Sequence, residues 1–543
     1  MNFNIVISGA AGDGIQSLCS ILSSYFKHLG LNIFSHRDYM SRVRGGFNYT
    51  SIRISTKNIS CHQQNIDYLI ALNEKSTILF NYVKNPKNII GYAPVDGEYI
   101  NLADVIKETH NRKAYPMVCL GVLLKKLSIK QEKITKHFPS KWNKEIINNN
   151  IIAINYGYQK VNNEIKLPNE NQNSYFIFSG NEAIAIGAML SKIDFYSAYP
   201  MAPSTGIFNA LVSHELDYPI ILEQAEDEIS AVMSCIGASS TGAKSMTSTS
   251  GGGLCLMTEA IGLSAIAEIP LLIVDVQRPG PATGLPTRYE QADLSFALNA
   301  SQGEFGRIIS APRSIEDCIF TTIHMFNLIT QYQLPGIILS DEYLADAKQT
   351  ILKFDYNNIE IASYCNKNQN IERYSSNDYY YNYIDNNKCI MHDSHIHTSS
   401  GYISEEPTIT KKLKHKLLNK EKLALNQMRE PLYFGKDKPA ILLICWGSTF
   451  GAVLETVEDL MKKNYSIGLL SFNDIYPLPT KKLLYYSKYS KKIISIEGNA
   501  TGQFLKIINL YTSVNIDYSI LKYDGRPFEK SYILNNLEGK IDE

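Results

Sequence analysis

A short apolar run, a turn of small residues and a stretch with helical hydrophobic spacing follow one another repeatedly along the chain. In the first copy, residues 3–8 are largely apolar, glycines stand at 9, 12 and 14, and the apolar residues after them repeat at helical spacing. Residues 247–253 form a loop of hydroxyl residues and glycines before an apolar helix, and residues 447–448 open a helix after the apolar run 440–445. Short apolar runs of this kind are typical of strands buried in parallel sheets. The pattern therefore predicts an α/β chain with mostly parallel sheets.

Breaks in this pattern divide the chain. At roughly 150 residues per domain, 543 residues suffice for three or four domains. A stretch rich in Asn and Glu ends near residue 173, and residues 355–435 lose the alternation and fill with Asn, Tyr, His and Lys. We expect three α/β domains and one connecting arm, with boundaries at 1–172, 173–354, 355–436 for the arm, and 437–543.

The charge balance argues against a nucleic-acid-binding protein. Lys plus Arg and Asp plus Glu both number 53, so bulk charge indicates no basic surface. No apolar run approaches the roughly 18 to 20 residues of a membrane span, and the first residues lack the basic start of a secretory signal. We therefore expect a cytoplasmic protein that binds neither nucleic acid nor membrane.

The cysteines argue against a metal or iron–sulfur cluster held by this chain. The nine cysteines include no CxxC pair, and no two lie closer than 20 positions. An odd count without a signal peptide fits reduced thiols buried as small apolar residues. We predict no metal ligands on this chain, so a cluster needed for its chemistry would belong to another subunit.

Two loops of the predicted central domain are suited to binding a ligand. Residues 199–206 contain two prolines that stiffen the loop, and Ser204 or Thr205 is placed to cap the next helix. In the second loop, Arg278 and Arg288 enclose a Pro- and Gly-rich stretch after the apolar run 271–276. Ligands of open α/β sheets bind at the carboxyl ends of strands, so this loop predicts an anion site. A purely structural loop remains the alternative.

An acidic segment precedes a predicted helix with an apolar stripe at Ile229, Val232, Met233 and Ile236. Glu228 lies about 40° from Val232 around the helix axis, at the edge of this stripe. We expect its carboxyl group to be partly buried, where a glutamate can hold a proton for catalysis. The alternative is a solvated helix start with acidic residues in its first turn.

The glycine turn at Gly9, Gly12 and Gly14 could hold a phosphate, because glycines let backbone N–H groups approach an anion at a helix start. The order of the glycines differs from the usual dinucleotide fingerprint, and a tight turn without a ligand explains it equally well. An NAD-linked dehydrogenase is therefore an alternative, and it would require nicotinamide binding to this chain without any partner.

Taken in order, the motifs of the central domain resemble those of the alpha subunit of 2-oxoacid:ferredoxin oxidoreductases, above all the 2-oxoglutarate type. The motifs are GNEA at 180–183, YPMAPST at 199–205, QAEDE at 224–228, IGAS at 236–239, TSG at 249–251 and QRPGPATGLPTR at 277–288. The glycine turn, Arg44-Gly45-Gly46 and residues 67–72 are similar to the gamma domain that many such enzymes carry ahead of alpha. EGN at 497–499 and TGQ at 501–503 are similar to the family's third domain, a transketolase-C-like α/β domain.

This resemblance implies a fused gamma–alpha subunit whose central domain has the fold that binds the pyrimidine half of thiamine diphosphate. The implied reaction is the oxidative decarboxylation of a 2-oxo acid, here expected to be 2-oxoglutarate, to acyl-CoA and CO₂. Coenzyme A would be the cosubstrate and ferredoxin the electron acceptor. A separate beta subunit would carry the diphosphate half of the cofactor, Mg²⁺ and a [4Fe–4S] cluster, and two such pairs would form a dimer of heterodimers.

The resemblance also assigns residue roles by position. Glu228 matches the family's glutamate that hydrogen-bonds the pyrimidine ring and promotes its imino form. Arg278 and Arg288 match positions that contact the substrate carboxylates, where a guanidinium can bind in a bidentate way. Further cofactor-binding positions are Tyr199, Pro200, Ser250 and Gly251. In the gamma domain, coenzyme A contacts or subunit packing are implied for Gly9, Gly12, Gly14 and Arg44.

Two positions depart from the family pattern. Ala202 stands where a threonine hydroxyl helps hold the substrate, and Gly252 stands where proline is usual. Ser204 or Thr205 is the candidate to replace the missing hydroxyl group in substrate binding. The departures leave open a second function, a noncatalytic assembly or ligand-binding paralogue, which restoring threonine at residue 202 would distinguish from an active subunit.

Overall fold

The computed structural model describes residues 1–40, 45–162, 175–362, 374 and 393–541. Over these ranges strands and helices alternate, which confirms the predicted α/β class. The strands are β1 Asn2–Ala11, β2 Asn32–Asp38, β3 Gly45–Ser55, β4 Tyr68–Ala71, β5 Ile89–Gly91, β6 Glu98–Tyr99, β7 Tyr175–Ser179, β8 Phe195–Ala198, β9 Ile221–Gln224, β10 Ser245–Thr249, β11 Leu271–Gln277, β12 Ile308–Ser310, β13 Pro335–Asp341, β14 Lys348–Leu352, β15 Leu432–Gly435, β16 Ile441–Trp446, β17 Ile467–Phe472, β18 Asp474–Tyr476, β19 Lys492–Glu497 and β20 Tyr518–Leu521.

The helices vary from four to nineteen residues. None within the described ranges is both long and apolar enough to cross a lipid bilayer. They are α1 Ile15–His28, α2 Leu102–Thr109, α3 Tyr115–Lys126, α4 Gln131–Ile134, α5 Lys144–Tyr158, α6 Gly180–Leu190, α7 Thr205–Val212, α8 Glu228–Ser240, α9 Gly251–Leu256, α10 Thr258–Ile266, α11 Leu294–Asn299, α12 Ile315–Tyr332, α13 Glu342–Asp346, α14 Pro407–Leu425, α15 Phe450–Lys462, α16 Lys481–Ser487, α17 Gln503–Tyr511 and α18 Lys530–Leu537.

The first compact unit comprises Met1–Phe178 and Ala347–Phe354 and is built on an eight-stranded sheet. The strand order is β6-β5-β4-β1-β3-β2-β14-β7, with β1, β4, β5 and β6 parallel and β3 antiparallel to both its neighbours. Helices α3 and α5 pack with their backbones in contact, since a Cβ at Gly121 would lie 2.1 Å from the Ile154 carbonyl oxygen. Glycine at this position therefore allows the close packing of the two helices.

The second unit comprises Ser179–Asp346 and Asp355–Glu543 and contains two further sheets. One has the order β18-β12-β13-β11-β10-β8-β9, and the other has the order β15-β17-β16-β19-β20. All their pairings are parallel except those of the edge strands β18 and β15, which confirms the prediction of mostly parallel sheets. The four-part division at 172, 354 and 436 stays a prediction.

Four adjacent parallel strands position the predicted site. β11, β10, β8 and β9 are neighbours in that order. Thr249, the last residue of β10, lies opposite Asp275 of β11, and Ala198 and Gln224, the last residues of β8 and β9, lie opposite each other. The carboxyl ends of parallel strands meet at one edge of a sheet, where open α/β folds bind their ligands. The loops that leave these four ends are 199–204, 225–227, 250 and 278–293.

Gln291 connects the last of these loops to the five-stranded sheet. Its buried side chain accepts hydrogen bonds from the Gly498 N–H at 3.0 Å and the Thr449 hydroxyl at 3.1 Å, and its Nε2 donates to the Trp446 carbonyl oxygen at 3.1 Å. The Gln291 backbone N–H also donates to the Gly498 carbonyl oxygen at 2.7 Å. The path of the loop is therefore set by contacts from strands β16 and β19.

The segment predicted as an arm contains helix α14, which the composition of residues 355–436 did not indicate. Its buried face includes Leu413 and Leu417 together with Lys416 and Lys420. Both ammonium groups face the buried carboxylate of Glu268, with Lys416 Nζ 2.7 Å from Oε1 and Lys420 Nζ paired with Oε2. A buried ion cluster thus anchors this helix beside α10 and β11.

Candidate active site

Glu228 is the first residue of helix α8 and lies at the carboxyl end of β9. Asp227 caps the helix by accepting a hydrogen bond from the Ser230 N–H at 2.8 Å and stays exposed. Glu228 is only 4% exposed, and its carboxyl group has no hydrogen bond or ion pair within the described ranges. The prediction that Glu228 is partly buried at the helix start is therefore confirmed.

The predicted apolar stripe of this helix is only half correct. Val232 and Ile236 are buried, whereas Ile229 is 52% and Met233 is 39% exposed. The buried face instead runs through Glu228, Ala231 and Cys235. The helix thus places the carboxyl group of Glu228 in the interior, against Gly253 of helix α9, and leaves Ile229 and Met233 at the surface.

The start of helix α9 lies directly against Glu228. A Cβ at Gly253 would lie 2.7 Å from Glu228 Oε1 and 2.0 Å from Thr249 Oγ1, so only glycine fits there. Ser250 is fully buried, and its hydroxyl group has no hydrogen-bond partner in the described part of the chain. At Gly252, by contrast, the nearest atom to a Cβ would be the Ala282 carbonyl oxygen, at 4.0 Å.

The 199–204 loop is held by bonds that the sequence did not indicate. Asn181 Nδ2 donates to the Pro203 carbonyl oxygen at 2.9 Å. The Ser204 hydroxyl donates to the Met201 carbonyl oxygen at 2.7 Å and makes no capping bond to helix α7, so the predicted cap by Ser204 is wrong. Thr205, which is half-buried, makes no side-chain capping bond at this helix start either. Tyr199, Pro200 and Ala202 are exposed.

Arg278 links the loop after β11 to the loop after β8. Its Nη1 donates to the Ala202 carbonyl oxygen at 2.5 Å, and the residue is 9% exposed. This is the one hydrogen bond of the guanidinium group with described residues, and no carboxylate pairs with it there. Burial lowers the pKa of Arg278, but a guanidinium keeps its charge in proteins. Arg278 therefore presents a largely buried positive charge with donors to spare.

Arg288 lies elsewhere along the same loop. Its Cβ is 3.5 Å from the position that a Cβ on Gly525 would occupy, so it packs against the segment after β20. The structure thus brings Arg278 to the Ala202 loop and places Arg288 beside the five-stranded sheet. Their roles as substrate contacts stay predictions.

Two aspartates beside Arg278 were missed by the sequence analysis, and of these Asp275 is buried and Asp293 is half-buried. Asp275 lies in β11, and Asp293 immediately precedes helix α11. Burial raises the pKa of both carboxyl groups, and their mutual proximity raises that of Asp275 further. A Cβ on Gly251 would lie 2.6 Å from Asp293 Oδ2, which places the pair next to the start of helix α9. A charged residue inside the apolar run 271–276 was the available sequence signal.

The glycine turn of the first unit is a tight connection from β1 to α1. Gly12 and Gly14 have φ of 101° and 87°, a region that side chains other than glycine rarely adopt. Asp13 Oδ2 accepts hydrogen bonds from the Ala10 N–H at 2.7 Å and from Asn73 Nδ2 at 2.8 Å, which fixes the turn around Gly9. Arg44 lies outside the described residues.

Comparison with known proteins decides the family. Residues 186–414 match the family model described as pyruvate flavodoxin/ferredoxin oxidoreductase, thiamine diphosphate-binding, and residues 4–160 match pyruvate ferredoxin/flavodoxin oxidoreductase. The 2-oxoglutarate synthase subunit KorA of Archaeoglobus fulgidus is 30% identical over 331 residues, covering 61% of this chain and 89% of that protein. The chain belongs to the family of 2-oxoacid:ferredoxin oxidoreductase alpha subunits. It is therefore an oxidoreductase, as the resemblance of its motifs to this family implied.

Two further matches cover nearly the whole chain, including residues 4–160. The 2-oxoacid:ferredoxin oxidoreductase subunit alpha of a Sulfolobus species is 26% identical over 611 residues, covering 97% of this chain and 95% of that protein. A 2-oxoglutarate:ferredoxin oxidoreductase from Magnetococcus marinus, solved with 2-oxoglutarate, coenzyme A and succinyl-CoA bound, superimposes with a TM-score of 0.93 at 27% identity and 99% coverage of both chains. The resemblance predicted from the motifs is confirmed, and so is the fold class.

The residues at the strand ends fit the polar ring of the cofactor that the family model names. Glu228 and Ser250 are buried polar groups that find no partner within the described ranges. Such groups cost free energy unless a bound molecule supplies the missing hydrogen bonds. A carboxyl group after strand β9 and a hydroxyl group after strand β10 match the donors and acceptors of a pyrimidine ring. The individual roles of these residues stay predictions.

Proposed function

We propose that this chain is the catalytic alpha subunit, fused to a gamma domain, of an enzyme that oxidatively decarboxylates 2-oxoglutarate. The products are succinyl-CoA and CO₂, coenzyme A is the cosubstrate, and ferredoxin takes the electrons. The 2-oxoglutarate synthase name of one relative and the bound ligands of the Magnetococcus enzyme support this substrate and cosubstrate. The cytoplasm is the proposed location.

The buried, unpartnered carboxyl group of Glu228 carries this proposal. When bound, thiamine diphosphate supplies the nucleophilic carbon and the electron sink that decarboxylation of a 2-oxo acid needs. Glu228 hydrogen-bonds the pyrimidine ring and holds a proton there, a role that a carboxyl group in water would perform poorly. Ser250 offers its free hydroxyl group to the same half of the cofactor, and Gly251 allows a close approach. Tyr199 and Pro200 border the site on its open side.

Arg278 is the proposed contact for the carboxylate next to the keto group of the substrate. Its charge is buried and has no carboxylate partner in the described part of the chain, so a substrate carboxylate meets little competition. The Ala202 carbonyl fixes the guanidinium from one side. Arg288 is the proposed contact for the distal carboxylate of 2-oxoglutarate. Thr205 is the better replacement for the missing hydroxyl group at residue 202, because the hydroxyl of Ser204 is engaged within the loop.

The enzyme requires a beta subunit, which carries the diphosphate half of the cofactor, Mg²⁺ and the [4Fe–4S] cluster. The relatives' names as alpha subunits support a partner. Exposed apolar side chains next to Glu228, namely Ile229, Met233 and Leu256, support a covering chain at this edge of the sheet. The complete enzyme is proposed to be a dimer of such heterodimers.

The test is anaerobic purification of the chain with the partner that remains bound, followed by viologen reduction. The substrates are 2-oxoglutarate, pyruvate and branched 2-oxo acids, each with and without coenzyme A. We expect reduction to require a cluster-bearing partner, coenzyme A and 2-oxoglutarate. If a different 2-oxo acid drives viologen reduction, that acid is the substrate in place of 2-oxoglutarate. If no 2-oxo acid drives viologen reduction by the partner-bound chain, catalysis is contradicted and a noncatalytic paralogue is favoured, as the departures at Ala202 and Gly252 suggest.

A further inference from the structure

Two carboxyl groups, that of the buried Asp275 and that of the half-buried Asp293, lie together at the carboxyl end of β11. Asp275 is completely buried, and it lies within hydrogen-bonding reach of Asp293. Within the described ranges, no N–H or O–H donor reaches either side-chain oxygen of Asp275 or Oδ2 of Asp293. Two ionised carboxylates in this position would repel each other without any compensating hydrogen bond.

A single shared proton resolves this conflict. The protonated carboxyl group then donates to the ionised one, so that the pair carries one negative charge and satisfies its own hydrogen bond. The surroundings offer few other charges. The titratable groups that face the pair are Arg278, Cys255 of helix α9 and Glu290. The neighbouring strands contribute Thr249 and Leu339 opposite Asp275, neither of which titrates.

The pair is also tied to the segment that carries Arg278. Gln277, the residue before Arg278, accepts a hydrogen bond from the Asp293 N–H at 3.1 Å and donates to the Ser340 carbonyl oxygen at 3.1 Å. Arg278 senses the charge of both aspartates without forming an ion pair with either. Its only hydrogen bond to the described residues, to the Ala202 carbonyl, leaves the remaining donors for an anion.

We infer that Asp275 and Asp293 share one proton and act as positioning residues for Arg278, holding a single negative charge near the guanidinium group. This inference rests on the proposed function, in which Arg278 binds the substrate carboxylate. One negative charge near the guanidinium group favours its position. A second negative charge would weaken the attraction of Arg278 for an anionic substrate.

The inference has a consequence for the pH dependence of substrate binding. As the pH rises and the pair loses its shared proton, its charge goes from one negative to two. An anionic substrate at Arg278 then binds less well, and we expect the KM for the 2-oxo acid to rise roughly threefold to tenfold. The value of kcat should change much less, because the pair does not touch the reacting carbon.

The experiment compares the wild-type holoenzyme with the variants Asp275→Asn and Asp293→Asn. An asparagine at either position donates an amide hydrogen to the remaining carboxylate, so the pair keeps one negative charge but has no proton to lose. KM and kcat for 2-oxoglutarate are measured from neutral to alkaline pH. Infrared difference spectra at neutral pH measure the carbonyl stretch of a protonated carboxyl group, which needs no catalytic activity.

Asp341→Asn is the matched control. Asp341 is a buried carboxyl group on the adjacent strand β13, but it accepts a hydrogen bond from the Ser448 hydroxyl at 2.5 Å and has its own partners. This control should keep both the alkaline rise in KM and the infrared band.

The expected result is an alkaline rise in KM for the wild type that disappears in both aspartate variants, together with loss of the infrared band. A KM rise that persists in the variants, or a band that they retain, would overturn the inference. If no 2-oxo acid reduces the holoenzyme, the proposed function fails and the positioning role fails with it. In that case, loss of the band in both variants would still establish the shared proton.

Discussion

The backbone of Gly253 lies against the carboxyl group of Glu228, so closely that a methyl group at residue 253 would lie 2.7 Å from Oε1. We expect Gly253→Ala to reduce activity at least tenfold and to destabilise the fold by about 1–3 kcal/mol, because the added carbon overpacks the site. Viologen reduction and thermal unfolding measure the two effects.

Gly252→Ala is the matched control, since a Cβ there would have 4.0 Å of free space. Activity should stay within about twofold, and stability should rise by up to about 1 kcal/mol, because alanine favours a helix over glycine. Equal losses in both variants would contradict a specific contact with Glu228.

Removing the acidity of Glu228 tests its proposed role directly. Glu228→Gln keeps the shape of the side chain but cannot exchange a proton as a carboxyl group does, so we expect a loss of about 10²- to 10⁴-fold in kcat. The fold should remain intact, because no ion pair with a described residue is broken. Glu226→Gln, at an exposed position in the same segment, serves as the control. A Glu228→Gln enzyme with more than a tenth of wild-type activity would exclude the proposed proton transfer.

Restoring a hydroxyl group at residue 202 distinguishes an impaired enzyme from a noncatalytic paralogue. Ala202 is exposed, so Ala202→Thr should fold normally. If the hydroxyl group adds one hydrogen bond to substrate, kcat/KM should rise about 2- to 13-fold, as expected from about 0.5–1.5 kcal/mol. Ala202→Val has the same shape without the hydroxyl group and should show no gain. A paralogue would be inactive in all three forms.

The α/β class with mostly parallel sheets was predictable from the sequence, but which side chains meet at the ends of the strands was only partly so. The burial of Glu228 was predictable from its position beside Val232 on the helix. The exposure of Ile229 and Met233 did not, because helical spacing identifies a face but not which way it turns. The Asp275–Asp293 contact joins residues from separate elements, and no spacing rule relates them.

Helix α14 shows a second limit of sequence patterns. Its buried face includes Lys416 and Lys420, which a hydrophobicity pattern counts as exposed. The helix becomes recognisable only once Glu268, about 150 residues earlier in the chain, is known to lie opposite them. Burial of a charge depends on a partner that the local sequence does not contain.

The same cluster makes a prediction about stability. Glu268→Gln would leave Lys416 and Lys420 buried beside an uncharged group, and we expect a loss of about 3–5 kcal/mol. Glu304→Gln is the control, because Glu304 faces Lys414 at 3.9 Å with both side chains more than half exposed. That pair should contribute less than about 1 kcal/mol. Chemical unfolding of the full chain measures both, and similar losses would contradict the buried cluster.

The raised pKa of Asp341 predicts that the stability of the fold depends on pH. Burial raises its pKa from 3.8 to about 6, so the folded chain holds this proton more tightly than the unfolded chain. The protonated Asp341 therefore contributes its full stabilisation below about pH 4. This contribution is lost as the pH rises through about 6, which lowers the free energy of unfolding by about 3 kcal/mol. Asp341→Asn should flatten this part of the unfolding profile. Ser448→Ala removes a hydrogen bond that lowers the pKa and should move the loss to higher pH.

The hydrogen bonds of Gln291 mean that the geometry of the site depends on two sheets. The edge of one sheet carries the proposed catalytic groups, while Trp446, Thr449 and Gly498, at the ends of two strands of another sheet, hold the loop leading to Asp293. A recombinant that exchanged residues 437–543 for those of a distant relative would therefore inherit a different loop path, even with every proposed catalytic residue unchanged. Compatibility at Gln291 decides whether such a chimera can work.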